Sequence, residues 1–367
     1  MKTVFIILLV VLFPVLVMAD VINVPSTEYS TIQDGVSAAN SGDTVLLASG
    51  TYTGAGNYNV SVTTQSITVL GEGNVTIDCD GRYKAFVVNC WPGSFTLENV
   101  SIVNGSTTSS EGILHIEQVS WAVVRNCVFS NSRGNSIYGS AGGIVVNIYD
   151  TIVEDSLTLV NGGSIFIGNI GTMNLYNTEI RNNVSSGNCA GLFVDNSTVT
   201  VNDCRFYGNS DGASILTKGG NSNVGITNCV FYENSGARPV FNLRDCNTTL
   251  TNVTVAGNQV STYIFGVYSN AHLNLNHSIV WGNGGYSFNV DGSMSSTCSD
   301  FPSDSPQGDN ISEDPMFCDM NGGNFELDAS SLCLTSPCGQ IGAFGLGCYG
   351  VVATEHKSWG DLKSLYR

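Results

Sequence analysis

The chain has 367 residues, with 13 Lys and Arg against 30 Asp and Glu, and a formal net charge of -17. So acidic a balance lacks the clustered cations that nucleic acid or an anionic membrane surface requires. With 42% hydrophobic and only 12% charged residues, the chain can bury a large core, which excludes wholesale disorder.

Residues 1–19 begin with Lys2, continue as an apolar run over residues 4–17 and place the small Ala19 before Asp20, the layout of a secretory signal cleaved after Ala19. Pro14 interrupts a run too short to span a bilayer, which argues against a transmembrane helix. No second hydrophobic span follows. The sequence therefore predicts a secreted, extracellular or cell-surface protein with no integral membrane span after signal cleavage.

Residues 20–65 read as an N-terminal cap with the first strands. Ser30-Thr31-Ile32-Gln33 has a capping-box pattern, Ile32, Val36 and Ala39 follow at helical spacing, and Asn40-Ser41-Gly42 ends the run. Residues 43–52 then read as one strand ended by a turn.

Residues 66–290 carry a repeat of about 25 residues. Its anchors are Ile77, Ile102, Phe129, Val153, Ile180, Phe206, Phe231, Val255 and Val280. Three residues before them runs a polar column of Asn74, Asn99, Asn126, Asp150, Asn177, Asp203, Asn228, Asn252 and His277. Three residues after later anchors stand Asn183, Asn209, Asn234, Asn258 and Asn283. Such columns have a physical reason if equivalent positions stack at the roughly 4.8 Å spacing of hydrogen-bonded strands, so that amides bond along the stack. A single unit cannot bury its own apolar face, so the repeats must stack into a solenoid. Glu98 with Arg125, Glu154 with Arg181, and Glu179 with Arg205 fall in shared columns of adjacent coils, a check independent of the anchors. Second apolar clusters after small-residue turns, such as Gly143-Ile144-Val145-Val146 and Gly191-Leu192-Phe193-Val194, give each coil at least two strands.

Residues 291–350 form a Cys-rich closing module. Its five cysteines, Cys298, Cys318, Cys333, Cys338 and Cys348, lie where the repeat has stopped and loops need stapling, so disulfides are expected there. Cys204 and Cys229 would stack in adjacent coils, either bridged or as buried small hydrophobes. Residues 351–367 are a basic, aromatic tail, readable as a frayed end or as a sorting or surface-attachment signal.

The run from Tyr29-Ser30-Thr31-Ile32-Gln33 through Gly42-Asp43-Thr44-Val45 to Gly50-Thr51-Tyr52 resembles the N-terminal cap of right-handed parallel β-helix proteins of the pectin-lyase-like superfamily. Cys204-Arg205-Phe206-Tyr207-Gly208-Asn209 and Cys229-Val230-Phe231-Tyr232-Glu233-Asn234 resemble the repeats of polymorphic outer-membrane proteins. Glu313-Asp314-Pro315-Met316-Phe317 and Ile341-Gly342-Ala343-Phe344 resemble the closing module of bacterial secreted β-helix proteins. The resemblance implies an all-β fold, a right-handed parallel β-helix of nine to eleven coils with a short N-terminal capping helix. It does not imply one activity, because such solenoids host lyases, hydrolases, esterases, epimerases and binding stalks.

No Gly-His-Gly or esterase motif is present, and Arg238-Pro239 is a faint echo of the pectate-lyase arginine. Asp195, Asp211 and Asp245 are carboxylates without a column partner, readable as projections from successive turns. With Arg238 they are the catalytic candidates. Asp78-Cys79-Asp80-Gly81 supplies two carboxylates that can hold Ca²⁺ but lacks a complete ligand loop, so no resident cofactor is expected. His277 reads as a rung of the polar column. These observations favour a non-catalytic protein acting in adhesion or carbohydrate binding, with glycans or surface components as partners. A polysaccharide lyase or glycoside hydrolase assembled from distant coils is the alternative, and a structural stalk a further one.

Overall fold

The computed structural model describes residues 19–349 apart from 65, 108–110, 141, 159–161, 170 and 303–308. The expected signal segment up to residue 18 and the tail at 351–367 lie outside the described residues. The described chain winds into a right-handed β-solenoid of about 11 turns. Three parallel sheets of 12, 11 and 10 strands run its length, so each full coil supplies three strands, one more than the minimum of two read from sequence.

The anchor column is the central ladder of the 10-stranded sheet. Ile77, Ile102, Phe129, Val153, Ile180, Phe206, Phe231, Val255 and Val280 pair one with the next in unbroken register. All nine are buried. Alternation explains this: the middle residue of each three-residue strand points inward while its neighbours face out. Corner positions preceding these strands, among them Asn99, Asn126, Asp150, Asn177, Asp203, Asn228, Asn252 and His277, have φ between 46° and 58°. Short polar side chains tolerate that left-handed conformation and bond along the column, as from Asn126 Nδ2 to Asn99 Oδ1 at 2.7 Å. The column is thus fixed first by backbone conformation and only second by stacking.

At the N-terminus α1, Ile32–Ala38, packs Ile32 and Val36 onto the first coils, and a Cβ at Gly35 would stand 2.6 Å from Val24 Cγ2. The capping box sits one residue later than expected. Thr31 Oγ1 accepts the Asp34 N–H and Asp34 Oδ2 accepts the Thr31 N–H, because Asp34 rather than Gln33 occupies the third helical position. Gln33 instead bridges to Ser61, accepting its N–H at 2.8 Å. Residues 43–52 form two strands, Thr44–Leu47 and Gly50–Tyr52, since the chain turns between them from one sheet to another.

Two of the three charge columns pair directly. Arg181 contacts Glu154 at 2.7 Å and Arg125 stands 3.7 Å from Glu98. Glu179 and Arg205 are in register as expected, but Glu179 takes Arg181 at 2.7 Å while Arg205 lies over the Phe344 ring.

The closing module folds back onto the outside of the 10-stranded sheet. Phe325 packs on outward-facing Val230, Tyr232 and Ala256, while Leu327, Cys333 and Ile341 cover Ile279. The Gly342 N–H donates to the His277 carbonyl and the Ala343 N–H to Thr254 Oγ1. Disulfides join Cys298 to Cys338 and Cys318 to Cys348. Cys333 is free, and so are the buried Cys204 and Cys229, which stack without a bridge.

Candidate functional site

The outer face of the 11-stranded sheet differs from the other two. One ladder position runs through His115, Tyr138, Phe166, Phe193, Leu216 and Asn242 on successive coils. Tyr138 and Phe166 stack with centroids 4.7 Å apart, and Phe166 meets Phe193 edge-on at 5.2 Å. Phe166, Phe193 and Leu216 lie outside the main core, in a separate cluster with Cys189 and Ala213. They floor a groove of about 410 Å³.

Two residues further along the strands, a second outward row carries Gly168, Asp195 and Lys218 in register. Gly168 leaves room for the Phe166 ring, since a Cβ there would lie 2.8 Å from ring carbon Cε1. Beyond Lys218 stands Arg244, whose guanidinium lies 4.7 Å from the Tyr268 ring centre and donates from Nε to Asn242 Oδ1 at 3.3 Å. Thr217 Oγ1 also accepts the Arg244 N–H. Arg238 reaches the groove from the turn before the next coil, and Asn188 completes the rim.

The structure thus brings together two residues singled out in the sequence, Asp195 and Arg238, and adds Lys218 and Arg244. Asp211 and Asp245 do not line this groove. Asp211 occupies an exposed corner with φ of 61°, and Asp245 Oδ1 accepts hydrogen bonds from Asn270. Asp195 closes the strand Cys189–Asp195 rather than projecting from a turn. Asp195 is therefore the one carboxylate among the lining residues, whereas hydrolysis by paired carboxyl groups needs two flanking the bond. Asp78 Oδ1 is engaged by the Asp80 N–H at 3.0 Å and by Asn104 Nδ2 at 3.1 Å. Among the described residues no three His, Cys, Asp or Glu side chains gather into a metal-sized cluster.

His115 extends the aromatic row past Tyr138, with ring centroids 4.9 Å apart, and its Nε2 bonds Glu117 Oε1 at 2.9 Å. Burial, aided by the Lys84 charge, holds its pKa below the usual histidine value. His277 joins the closing module instead, its Nε2 3.3 Å from the Cys338 carbonyl.

A right-handed solenoid of three parallel sheets defines the class of β-helix proteins. The chain belongs to the right-handed β-helix region family, whose pattern matches residues 111–300. Among solved structures it is similar to the pectate lyase Pel9A, with 14% identity and a TM-score of 0.51 over 89% of this chain and 96% of that one. A rhamnogalacturonan lyase matches with 13% identity and a TM-score of 0.53 over 92% and 98%. Both likenesses concern the fold. No curated protein matches the chain by sequence.

Proposed function

We infer that this is an exported β-helix protein that binds an acidic polysaccharide in the groove floored by Tyr138, Phe166, Phe193 and Leu216. The observation carrying this reading is charge placement. In a chain of net charge -17, Lys218, Arg238 and Arg244, three of only 13 cations, line the same aromatic groove. Aromatic faces receive the apolar faces of sugar rings, and guanidinium groups hold carboxylates in bidentate geometry. The groove runs across successive coils, so it suits a polymer laid along the solenoid axis.

The two disulfides suit an oxidising compartment, and no helix among the described residues is long and apolar enough to cross a membrane. The fold neighbours that act on pectic polymers add support for glycan partners. Turnover of the bound chain is the second reading, favoured by Asp195 standing beside Lys218 in the ladder. The experiment is calorimetric titration with uronate and neutral oligosaccharides, with and without Ca²⁺, followed by ultraviolet absorbance for unsaturated ends and a reducing-end assay. Binding to uronates without new ends supports the binding protein. New ends lost on Lys218→Ala establish an enzyme. Failure to bind any acidic glycan removes this reading.

A further inference from the structure

The closing module lies on the 10-stranded sheet and the aromatic groove on the 11-stranded one. The 12-stranded sheet keeps an outer face of a third kind. Its strands from Val145–Tyr149 to Ser293–Thr297, seven in succession, contain no Asp, Glu, Lys or Arg, in a chain of net charge -17. Thr198–Asn202, Ser222–Thr227 and Cys246–Thr251 form the centre of this stretch. Alternation points three residues of each outward, in three columns of matched register, and the middle column reads Thr200, Gly225 and Thr249. The other outward positions are all Thr or Asn. Thr172–Tyr176 and His272–Asn276 continue the columns without a register shift, whereas the 11-stranded sheet shifts near Ile116, Cys189 and Gln259.

The eight Thr and Asn side chains on the three central strands are exposed or half-buried, and none is hydrogen-bonded within the protein. Neighbours in a column stand about 4.8 Å apart, the strand separation, and columns about 6.6 Å apart, twice the rise per residue. A partner that engages the whole face therefore repeats in two dimensions at such intervals, carries no charge, and both donates and accepts hydrogen bonds. Hydroxyl and amide groups do both, and threonine is stiff at χ1, so its hydroxyl is ordered before contact. No aromatic residue lies on the three central strands, so they offer no platform for a sugar ring. Nor do they carry a charge whose hydration would have to be stripped on contact.

We propose that this face binds the surface of ice, its columns of hydroxyl and amide groups holding the first lattice layer of water. Ice meets each condition: it is neutral, every molecule in it donates and accepts, and it repeats in two dimensions. Each contact is weak, and repetition over successive coils makes the whole strong. An adsorbed chain blocks addition of water to the lattice beneath it, so the consequence is slower ice growth and recrystallisation. The site is independent of the groove, which belongs to another sheet.

The test grows ice slowly from a dilute mixture of the purified full chain and serum albumin, measures the share of each protein taken into the ice, and scores recrystallisation by microscopy. Two double variants, Thr200→Tyr with Thr249→Tyr and Thr200→Lys with Thr249→Lys, place rings or charges in the middle column while leaving the buried positions untouched. Ser130→Tyr puts the same ring on the outer face of the 10-stranded sheet. Expected are enrichment of the unaltered chain and of Ser130→Tyr in ice over albumin, with inhibited recrystallisation, and loss of both effects in the two double variants with unchanged far-UV dichroism. Exclusion of the unaltered chain from ice at albumin's level, enrichment indifferent to both double variants, or retention on crystalline cellulose in place of ice would overturn the proposal.

Discussion

Asn234 Oδ1 accepts both the backbone N–H and the side-chain Nδ2 of Asn209, each at 3.1 Å, one coil away. Asn234 in turn gives its own N–H and Nδ2 to Asn258 Oδ1, and its Nδ2 also reaches the Phe206 carbonyl. The same double bond repeats from Asn183 to Asn209 and from Asn258 to Asn283. An amide is required here because it supplies an acceptor for two donors and donors of its own within a buried corner.

Removing a middle rung should therefore be costly. Asn234→Ala leaves the Asn209 N–H without its acceptor and takes one of two acceptors from Asn209 Nδ2, while the Asn258 oxygen keeps only the residue-234 backbone N–H, so a loss of about 2–4 kcal/mol is expected. Asn283→Ala, at the half-buried end of the ladder, should cost about 1 kcal/mol. Urea denaturation with unchanged m-values would check both. Equal costs at the two positions would show that the ladder is not a chain of dependent bonds.

The groove predicts a split between two arginines. Arg244→Ala and Lys218→Ala should each weaken binding to a uronate oligomer roughly ten-fold at low salt, about 1.4 kcal/mol, and flatten its dependence on ionic strength. Arg125, on another sheet and over the Tyr149 ring, should tolerate alanine without effect on binding. Phe166→Ala should lower affinity for neutral and acidic oligomers alike, because it removes a stacking surface rather than a charge. Titration of the four variants at two salt concentrations separates these outcomes.

What the sequence discloses follows from which parts of the coil have constant length. The strands of the 10-stranded sheet and their flanking corners recur at nearly fixed spacing, so the anchors, both asparagine columns and two ion pairs can be read as a repeat. The groove cannot. Tyr138 follows its anchor Phe129 by 9 residues, whereas Phe166 follows Val153 by 13 and Leu216 follows Phe206 by 10. Turns of unequal length and register shifts at Ile116 and Cys189 absorb these differences in space. The apolar clusters around Val145 and Phe193 accordingly look alike in sequence but belong to different sheets. Asp195 could be picked out as a carboxylate without a column partner and Arg238 through its Arg-Pro setting, but Lys218 and Arg244 gave no signal without the row of rings beside them.

Eight of the 12 cysteines are free and all eight are buried. Burial pushes the thiols of Cys79, Cys127 and Cys189 up to about 12, so little reactive thiolate exists at neutral pH. Cys229 is raised too, by burial and then by its neighbour Cys204. The native protein should resist alkylation at pH 8, and the unfolded, unreduced protein should take up eight labels by mass. Six labels, with a bridge mapped between Cys204 and Cys229, would show that these stacked thiols do oxidise.

The closing module holds a buried carboxyl that titrates within the pH range where the protein can be studied. Asp300 is fully buried, accepting the Glu313 N–H at Oδ1 and the Cys333 thiol at Oδ2, 3.2 Å away. Burial pushes its pKa up to about 6, and the Glu313 and Asp314 charges act in the same direction. The folded state therefore binds this proton more tightly than the unfolded chain, where an aspartate titrates near 3.9. By linkage its contribution is fully present below that value and is lost as pH rises through about 6. Asp300→Asn keeps a carbonyl oxygen for the Glu313 N–H and abolishes the titration. The variant should gain about 2 kcal/mol relative to the natural protein between pH 4 and pH 7.5. His115 has the opposite sign: its lowered pKa means stability falls as pH drops below about 6.5, so His115→Gln should spare the protein from that loss. Urea midpoints across this range for the two single variants would show opposite slopes, and parallel curves for all three proteins would refute both assignments.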